Sequence, residues 1–115
     1  MASDYKSIAG KIKFEGRAFI DGKYVDAIDG EKFENINPAT GEVLCTVSKC
    51  NHKDVDLAVK VSRKAFNSGV WSRTSPEFRK DVLLKFAELL RQTGEENSVL
   101  ECVDTGKLIG DCINE

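Results

Sequence analysis

The sequence predicts a four-stranded antiparallel β-meander over residues 17–48, followed by three to four helices over residues 51–115. Three observations carry this expectation. The dipeptides Asp21-Gly22 and Asp29-Gly30 and the pair Pro38 and Gly41 punctuate short apolar runs at hairpin spacing. From Asn51 onward the apolar residues recur at helical rather than strand spacing. Helix boundary residues then appear in the right order: Gly69, Ser75-Pro76-Glu77, Thr93 and Gly106.

Residues 1–16 are polar and without periodicity, so a flexible, loosely held tail is expected. Asp21-Gly22 reads as a two-residue turn with positive φ at both positions, pairing Phe19 with Tyr24 and leaving Ile20 and Val25 on the opposite face. Both faces carry apolar groups, so both should be covered. Asp29-Gly30 turns the chain into Phe33–Ile36. Pro38 and Gly41 return it as a last strand in which Val43, Cys45 and Val47 alternate with Leu44, Thr46 and Ser48. Four strands alone are marginal, and the helices should supply the covering layer.

The first helix is expected to start at Asn51, whose side chain can cap free amides, with Asp54 and Asp56 at the positive end of the dipole. Val55, Ala58, Val59, Ser62, Ala65 and Phe66 fall on one side, whereas Leu57 and Val61 lie well round the cylinder. So broad a stripe implies packing on two surfaces. Gly69 ends this helix. The second has Ser75 as N-cap and Pro76 at its first position, with Phe78, Val82, Leu83, Phe86, Leu89 and Leu90 as its apolar stripe. Thr93 and Glu96 read as a capping box for the third, which should run to about Asp104 and stop at Gly106. Ile109, Cys112 and Ile113 begin one more stripe barely two turns before Glu115. A helix that short is unstable by itself, and the expectation is a longer protein of which this is one part.

The composition excludes several function classes. In 115 residues, 41% are hydrophobic and 31% charged, and the net charge is −2. That balance gives no reason to expect nucleic acid or an anionic membrane as partner. No apolar run approaches a membrane span, residues 1–14 lack a secretory apolar core, and they hold Asp4 but no Arg, so the expected location is cytoplasmic. Cys45, Cys50, Cys102 and Cys112 match no zinc or redox spacing and read as reduced thiols. His52 reads as an exposed polar residue of a first helical turn. The charges of the second helix, from Arg79 to Arg91, read as a solvated face.

Asn37-Pro38-Ala39-Thr40-Gly41-Glu42, then Asp54-Val55-Asp56-Leu57-Ala58-Val59, then Asp104-Thr105-Gly106-Lys107 resemble, in that order and spacing, the N-terminal region of NAD(P)-dependent aldehyde dehydrogenases. The resemblance runs from about Phe19 to the end. It implies an α/β, Rossmann-like fold in the complete enzyme, with residues 17–115 forming the N-terminal part of its cofactor-binding domain. It also implies oxidation of a small-molecule aldehyde to a carboxylic acid with NAD or NADP through a cysteine thioester, in a homodimer or homotetramer. The stretch from Val70-Trp71-Ser72 to Leu90 is closest to the group handling betaine, aminobutyraldehyde-type and general aliphatic aldehydes.

No catalytic or cofactor-binding residue is expected within these 115. Hydride transfer needs a phosphate-cradling backbone, a thiolate and a base, and there is no Gly-x-Gly-x-x-Gly here. The family's nucleophile follows Gly-Gln-x, which precedes none of the four cysteines, and its general-base glutamate motif is likewise absent. One site of the family does carry over: a monovalent cation, K+ or Na+, held by the main-chain carbonyls of Asn35 and Ile36 and the carboxylate of Asp104. Asn35 stands where the family commonly has Thr, and Leu108 where it often has Pro. Two readings of Asp104 stand side by side, a cation ligand or a local cap or ion pair with Lys107. A reading of another class is a non-enzymatic β-plus-helix module whose broad apolar helix faces bind a protein partner.

Overall fold

The computed structural model describes residues 4–114. The elements in chain order are α1 (Tyr5–Ala9), β1 (Ala18–Ile20), β2 (Lys23–Val25), β3 (Lys32–Ile36), β4 (Val43–Ser48), α2 (His52–Ser68), α3 (Pro76–Gln92), α4 (Gly94–Thr105) and α5 (Ile109–Asn114). They divide into two compact units. One is built from residues 4–15, 34–46 and 87–114, the other from 16–33 and 47–86, with the β3–β4 hairpin and α3 contributing to both.

Asp21 and Gly22 have φ of 56° and 74°, the two left-handed residues that a type I′ turn requires. The turn sets the register Ala18↔Val25, Phe19↔Tyr24 and Ile20↔Lys23. At the next hairpin, the Asn37 N–H donates to the Glu42 carbonyl at 2.9 Å and the Gly41 N–H to the Asn37 carbonyl at 2.8 Å. The Asn37 side chain stiffens this loop by accepting from the Ala39 N–H at 2.9 Å.

The four strands do not form one meander. They make two separate two-stranded sheets, β1-β2 and β3-β4. The connection between β2 and β3 shows why. Its Gly30 N–H closes a turn onto the Ala27 carbonyl, and its Glu31 carbonyl accepts from the Lys49 N–H beyond β4. Its Ile28 N–H is taken by the Asp54 carboxylate of α2 at 2.8 Å. Main-chain groups that would have laddered β2 to β3 are thus engaged by a helix N-terminus and by the chain after β4. Of the expected tail over 1–16, residues 1–3 lie outside the described residues. Tyr5–Ala9 is helical, capped by the Asp4 side chain accepting from the Ser7 N–H, and lies against α4.

The unit holding α2 is organised by the helix's N-terminus. Asn51 and Asp54 form a reciprocal capping box. Asp54, only 3% exposed, accepts from the Asn51 N–H at 2.9 Å as well as from Ile28. Asp29 joins the cluster, accepting from Asn51 Nδ2 at 2.7 Å and Lys53 Nζ at 2.6 Å. Leu57 and Val61 of α2 line one cleft with Ile20, Val25 and Ile28. The other α2 face, Val55, Val59 and Phe66, stays open, with Val59 and Phe66 each 60% exposed. Phe19 and Tyr24 pack edge-to-face, 5.1 Å between centroids, yet both remain exposed, so the expected cover on that side of the hairpin is absent among the described residues.

α3 opens as its sequence predicts, the Ser75 hydroxyl accepting from the Phe78 N–H at 3.2 Å, but none of its residues is buried. The Thr93–Glu96 capping box of α4 does not form. Only Thr93 separates α3 from α4, and its hydroxyl donates back to the Leu89 carbonyl at 3.0 Å, which also accepts the Thr93 N–H at 3.1 Å, instead of capping forward. α4 ends at Gly106, whose φ of 75° is a left-handed cap. In this unit Val99 and Cys112 are the buried apolar residues, α4 lies against α5, and Ser98 Oγ donates to the Cys112 carbonyl at 3.1 Å.

Candidate functional site

The residues singled out from the sequence, Asn35, Ile36 and Asp104, belong to one unit. Asn35 and Ile36 end β3 immediately before the Asn-Pro turn, and Asp104 lies in the last turn of α4. They are 69 residues apart in the chain, and the fold joins them directly: Asn35 Nδ2 donates to Asp104 Oδ1 at 2.5 Å. A second contact fixes the approach. A Cβ at Gly106 would lie 2.9 Å from Pro38 Cγ, so the chain just past α4 rests on the Asn-Pro turn at a distance that only glycine allows.

The electrostatics of this corner are one-sided. Asp104 adds a carboxylate to the negative end of the α4 dipole, in a last turn that carries no basic residue. Of the two readings of Asp104, the local ion pair has Lys107 turned elsewhere, its Nζ bonding Glu101 Oε1 at 2.7 Å. The partner that Asp104 has is a neutral amide. One carboxylate together with main-chain carbonyls would make a hard-oxygen set of single charge, which suits a monovalent ion better than Ca2+ or Mg2+. No group of three or more His, Cys, Asp or Glu that could hold a metal occurs among the described residues.

Sequence reasoning did not foresee that the Asn35 side chain, and not only its main chain, meets Asp104. No local spacing could have signalled a bond between residues so far apart. It also missed the tie from Asp54 to Ile28, although Asn51-x-x-Asp54 is visible as a capping-box spacing. This cluster shifts its own titration. The Asn51 and Ile28 N–H groups hold the Asp54 carboxyl below its ordinary value of 3.8. The hydrogen bonds from Lys53 and then Asn51 do the same for Asp29, and Asp29 in turn holds Lys53 above 10.5. All of these groups serve packing at a helix start. Of the cysteines, Cys50 is exposed, Cys45 and Cys102 half-buried and Cys112 buried.

A β-hairpin closed by an Asn-Pro-x-x-Gly loop is thus held to the C-terminus of an Asp-x-Gly-Lys helix. The family profile described as the aldehyde dehydrogenase family matches residues 24–115, and the chain belongs to that family. Aldehyde dehydrogenase 1 of Tanacetum cinerariifolium is 52% identical over 102 residues, which cover 89% of this chain and 20% of the relative. Aminoacetaldehyde dehydrogenase of Pseudomonas aeruginosa is 44% identical over 109 residues, 95% of this chain and 22% of that one. Among solved structures, a variant of the P. syringae indole-3-acetaldehyde dehydrogenase AldA, bound to NAD+, superposes with a TM-score of 0.92 at 44% identity, covering 96% of this chain and 22% of its own. The chain thus spans about a fifth of the length of the relatives it matches.

Proposed function

We propose that these residues are the N-terminal portion of an NAD(P)-dependent aldehyde dehydrogenase whose catalytic residues lie outside this chain. The complete enzyme oxidises an aldehyde to a carboxylic acid through a cysteine thioester, and residues 17–115 contribute to its cofactor-binding domain within an α/β, Rossmann-like fold. The observation that carries the reading is the family match over residues 24–115, together with a 44% identical relative solved with NAD+, of which this chain covers 22%. The surface agrees with it. Val59 and Phe66 of α2 and Leu83 and Leu84 of α3 are each about 60% exposed, which is apolar area that further polypeptide would cover.

The complete enzyme is a homodimer or homotetramer located in the cytoplasm. Among the described residues, no helix is long and apolar enough to cross a membrane. Asn35 and Ile36, through their carbonyls, and Asp104, through its carboxylate, hold a K+ or Na+ ion. Such an ion, when bound, neutralises the carboxylate at the end of α4 and ties that helix to β3. The residues themselves position the Asn-Pro turn against Gly106.

The test has two arms. The purified 115-residue chain should neither bind NAD tightly nor generate NADH from a simple aldehyde, and turnover would overturn the reading. Grafted in place of the matching segment of the P. syringae indole-3-acetaldehyde dehydrogenase, the same residues should give a soluble, NAD-binding enzyme. A chimera that aggregates while the parent enzyme folds would refute the proposed placement.

A further inference from the structure

We infer that Asp21-Gly22 is a self-modification site, at which the Asp21 carboxyl closes onto the Gly22 nitrogen and the ring reopens as isoaspartate, while the other Asp-Gly pair, Asp29-Gly30, is held back by its neighbours. The inference goes beyond the family placement and does not rest on it. The reaction needs a carboxyl free to turn and take up a proton, a main-chain nitrogen free of a hydrogen bond, and no Cβ on the following residue to block the approach. Asp21-Gly22 meets every condition. Both residues are exposed, and neither the Asp21 carboxyl nor the Gly22 N–H has a hydrogen-bond partner among the described residues. No atom lies within 4 Å of where a Gly22 Cβ would stand. Asp21 is also the non-glycine residue held at positive φ, 56°, so leaving the turn conformation relieves strain. Asp29-Gly30 meets only the last condition. Asp29 Oδ1 accepts from Lys53 Nζ at 2.6 Å and Oδ2 from Asn51 Nδ2 at 2.7 Å, and the Gly30 N–H is taken by the Ala27 carbonyl at 2.8 Å. The bonds from Lys53 and then Asn51 also hold the Asp29 carboxyl below its ordinary value, in the ionised form that does not react.

In the first step a bond forms between the Gly22 nitrogen and Asp21 Cγ, and the amide proton and the carboxyl hydroxyl leave together as water, giving a cyclic imide. Water then opens one of the two ring C–N bonds. Opening at Cγ restores aspartate; opening at the main-chain carbonyl carbon leaves the chain running through Cγ, with one more methylene in the backbone. One water leaves and one returns, so mass is unchanged and nothing is oxidised or reduced. The added methylene falls in the two-residue turn whose length sets the Phe19↔Tyr24 register. Ile20 and Val25 of the same hairpin line the cleft with Leu57 and Val61 of α2, so the modification loosens the hairpin from that helix.

The experiment ages the 115-residue chain at neutral pH in heavy-oxygen water, with far-UV circular dichroism to follow its fold, and ages the chimera described above in parallel so that the hairpin is also read within a larger enzyme. Each ring opening leaves one solvent oxygen in the product. Trypsin, applied in ordinary water, then separates the two sites into peptides 18–23 and 24–32. Peptide 18–23 should gain label and split into two chromatographic forms about tenfold faster than peptide 24–32, whose reaction must first break a charge-assisted hydrogen bond. In denaturant that difference should vanish. Asp21→Asn, an exchange that the same turn accommodates, should react faster still, because a side-chain amide loses ammonia without first being protonated as a carboxylate must be. Equal rates at the two sites in folded protein, or a faster peptide 24–32, would overturn the protection assigned to Asp29. An unlabelled peptide 18–23 in folded protein, with Asp21→Asn equally intact, would show that the turn forbids the attack and would overturn the inference as a whole, leaving the family placement untouched.

Discussion

Replacing Gly106 by alanine should damage this chain more than replacing any other left-handed glycine, because two separate costs meet there. The first is conformational: φ is 75° at Gly106, and an L-residue in that region loses about 1–2 kcal/mol. The second is steric. The new Cβ would sit 2.9 Å from Pro38 Cγ and 3.5 Å from Pro38 Cβ. A pyrrolidine ring has no rotamer to escape into, so relief needs movement of the turn or of the end of α4, an overpacking cost of about 1–3 kcal/mol. Together these give about 2–5 kcal/mol for Gly106→Ala.

Two controls separate the parts. Gly30 has φ of 71° and open space around its Cβ position, so Gly30→Ala should cost only the conformational 1–2 kcal/mol or so. Gly69 has φ of 82°, and its Cβ would meet Arg73 Cδ at 2.8 Å, Cγ at 3.1 Å and Cβ at 3.3 Å, near the root of a side chain that can move only in part, so Gly69→Ala should fall between Gly30→Ala and Gly106→Ala. Urea unfolding followed by far-UV circular dichroism reads the difference. With a slope of about 1–3 kcal/mol per molar, the steric part alone moves the midpoint by about 0.5–2 M. Three equal midpoints, or a Gly106 variant milder than the Gly30 variant, would show that the contact with Pro38 is not what fixes the end of α4.

Three further outcomes follow from charge, burial and exposure. Because the Asp54 carboxyl is held below 3.8 by the Asn51 and Ile28 N–H groups, its contribution is fully present above that pH and is lost as pH falls through the depressed value. Asp54→Asn should therefore lower stability at neutral pH and flatten the acid limb of a midpoint-against-pH curve; a variant curve parallel to wild type would count against the role. Val99→Ala, at a site only 3% exposed, should cost about 2 kcal/mol by leaving a small cavity. Phe66→Ser, at a site 60% exposed, should change stability by less than about 0.5 kcal/mol while reducing the binding of a hydrophobic dye. A large destabilisation by Phe66→Ser would mean that the α2 face is covered within this chain.

Local chemistry was legible wherever a residue acts on its immediate neighbours. Asp21-Gly22 forces positive φ at both positions and so sets the Phe19↔Tyr24 register. Asn51, Gly69, Ser75 and Gly106 stop or start helices through bonds to groups within a turn of themselves. Thr93 was misread because the amides ahead of it and the Leu89 carbonyl behind it compete for one hydroxyl, and the carbonyl of the preceding helix won.

By itself, then, the sequence determined the hairpin turns, the helices from α2 onward and the two apolar faces of α2, and the order of motifs that marks the family, since all of these depend on backbone preferences and periodicity along a few residues. Tertiary structure alone decided that β3 pairs with β4 and not with β2 while Ile28 between them bonds Asp54, that Leu57 and Val61 rather than Val55 and Val59 meet the hairpin, and that Asn35 grips Asp104. Each of those choices is a competition for one donor or one face among groups 26 to 69 residues apart. Its winner is set by which elements the fold brings within reach, a quantity that no local pattern contains.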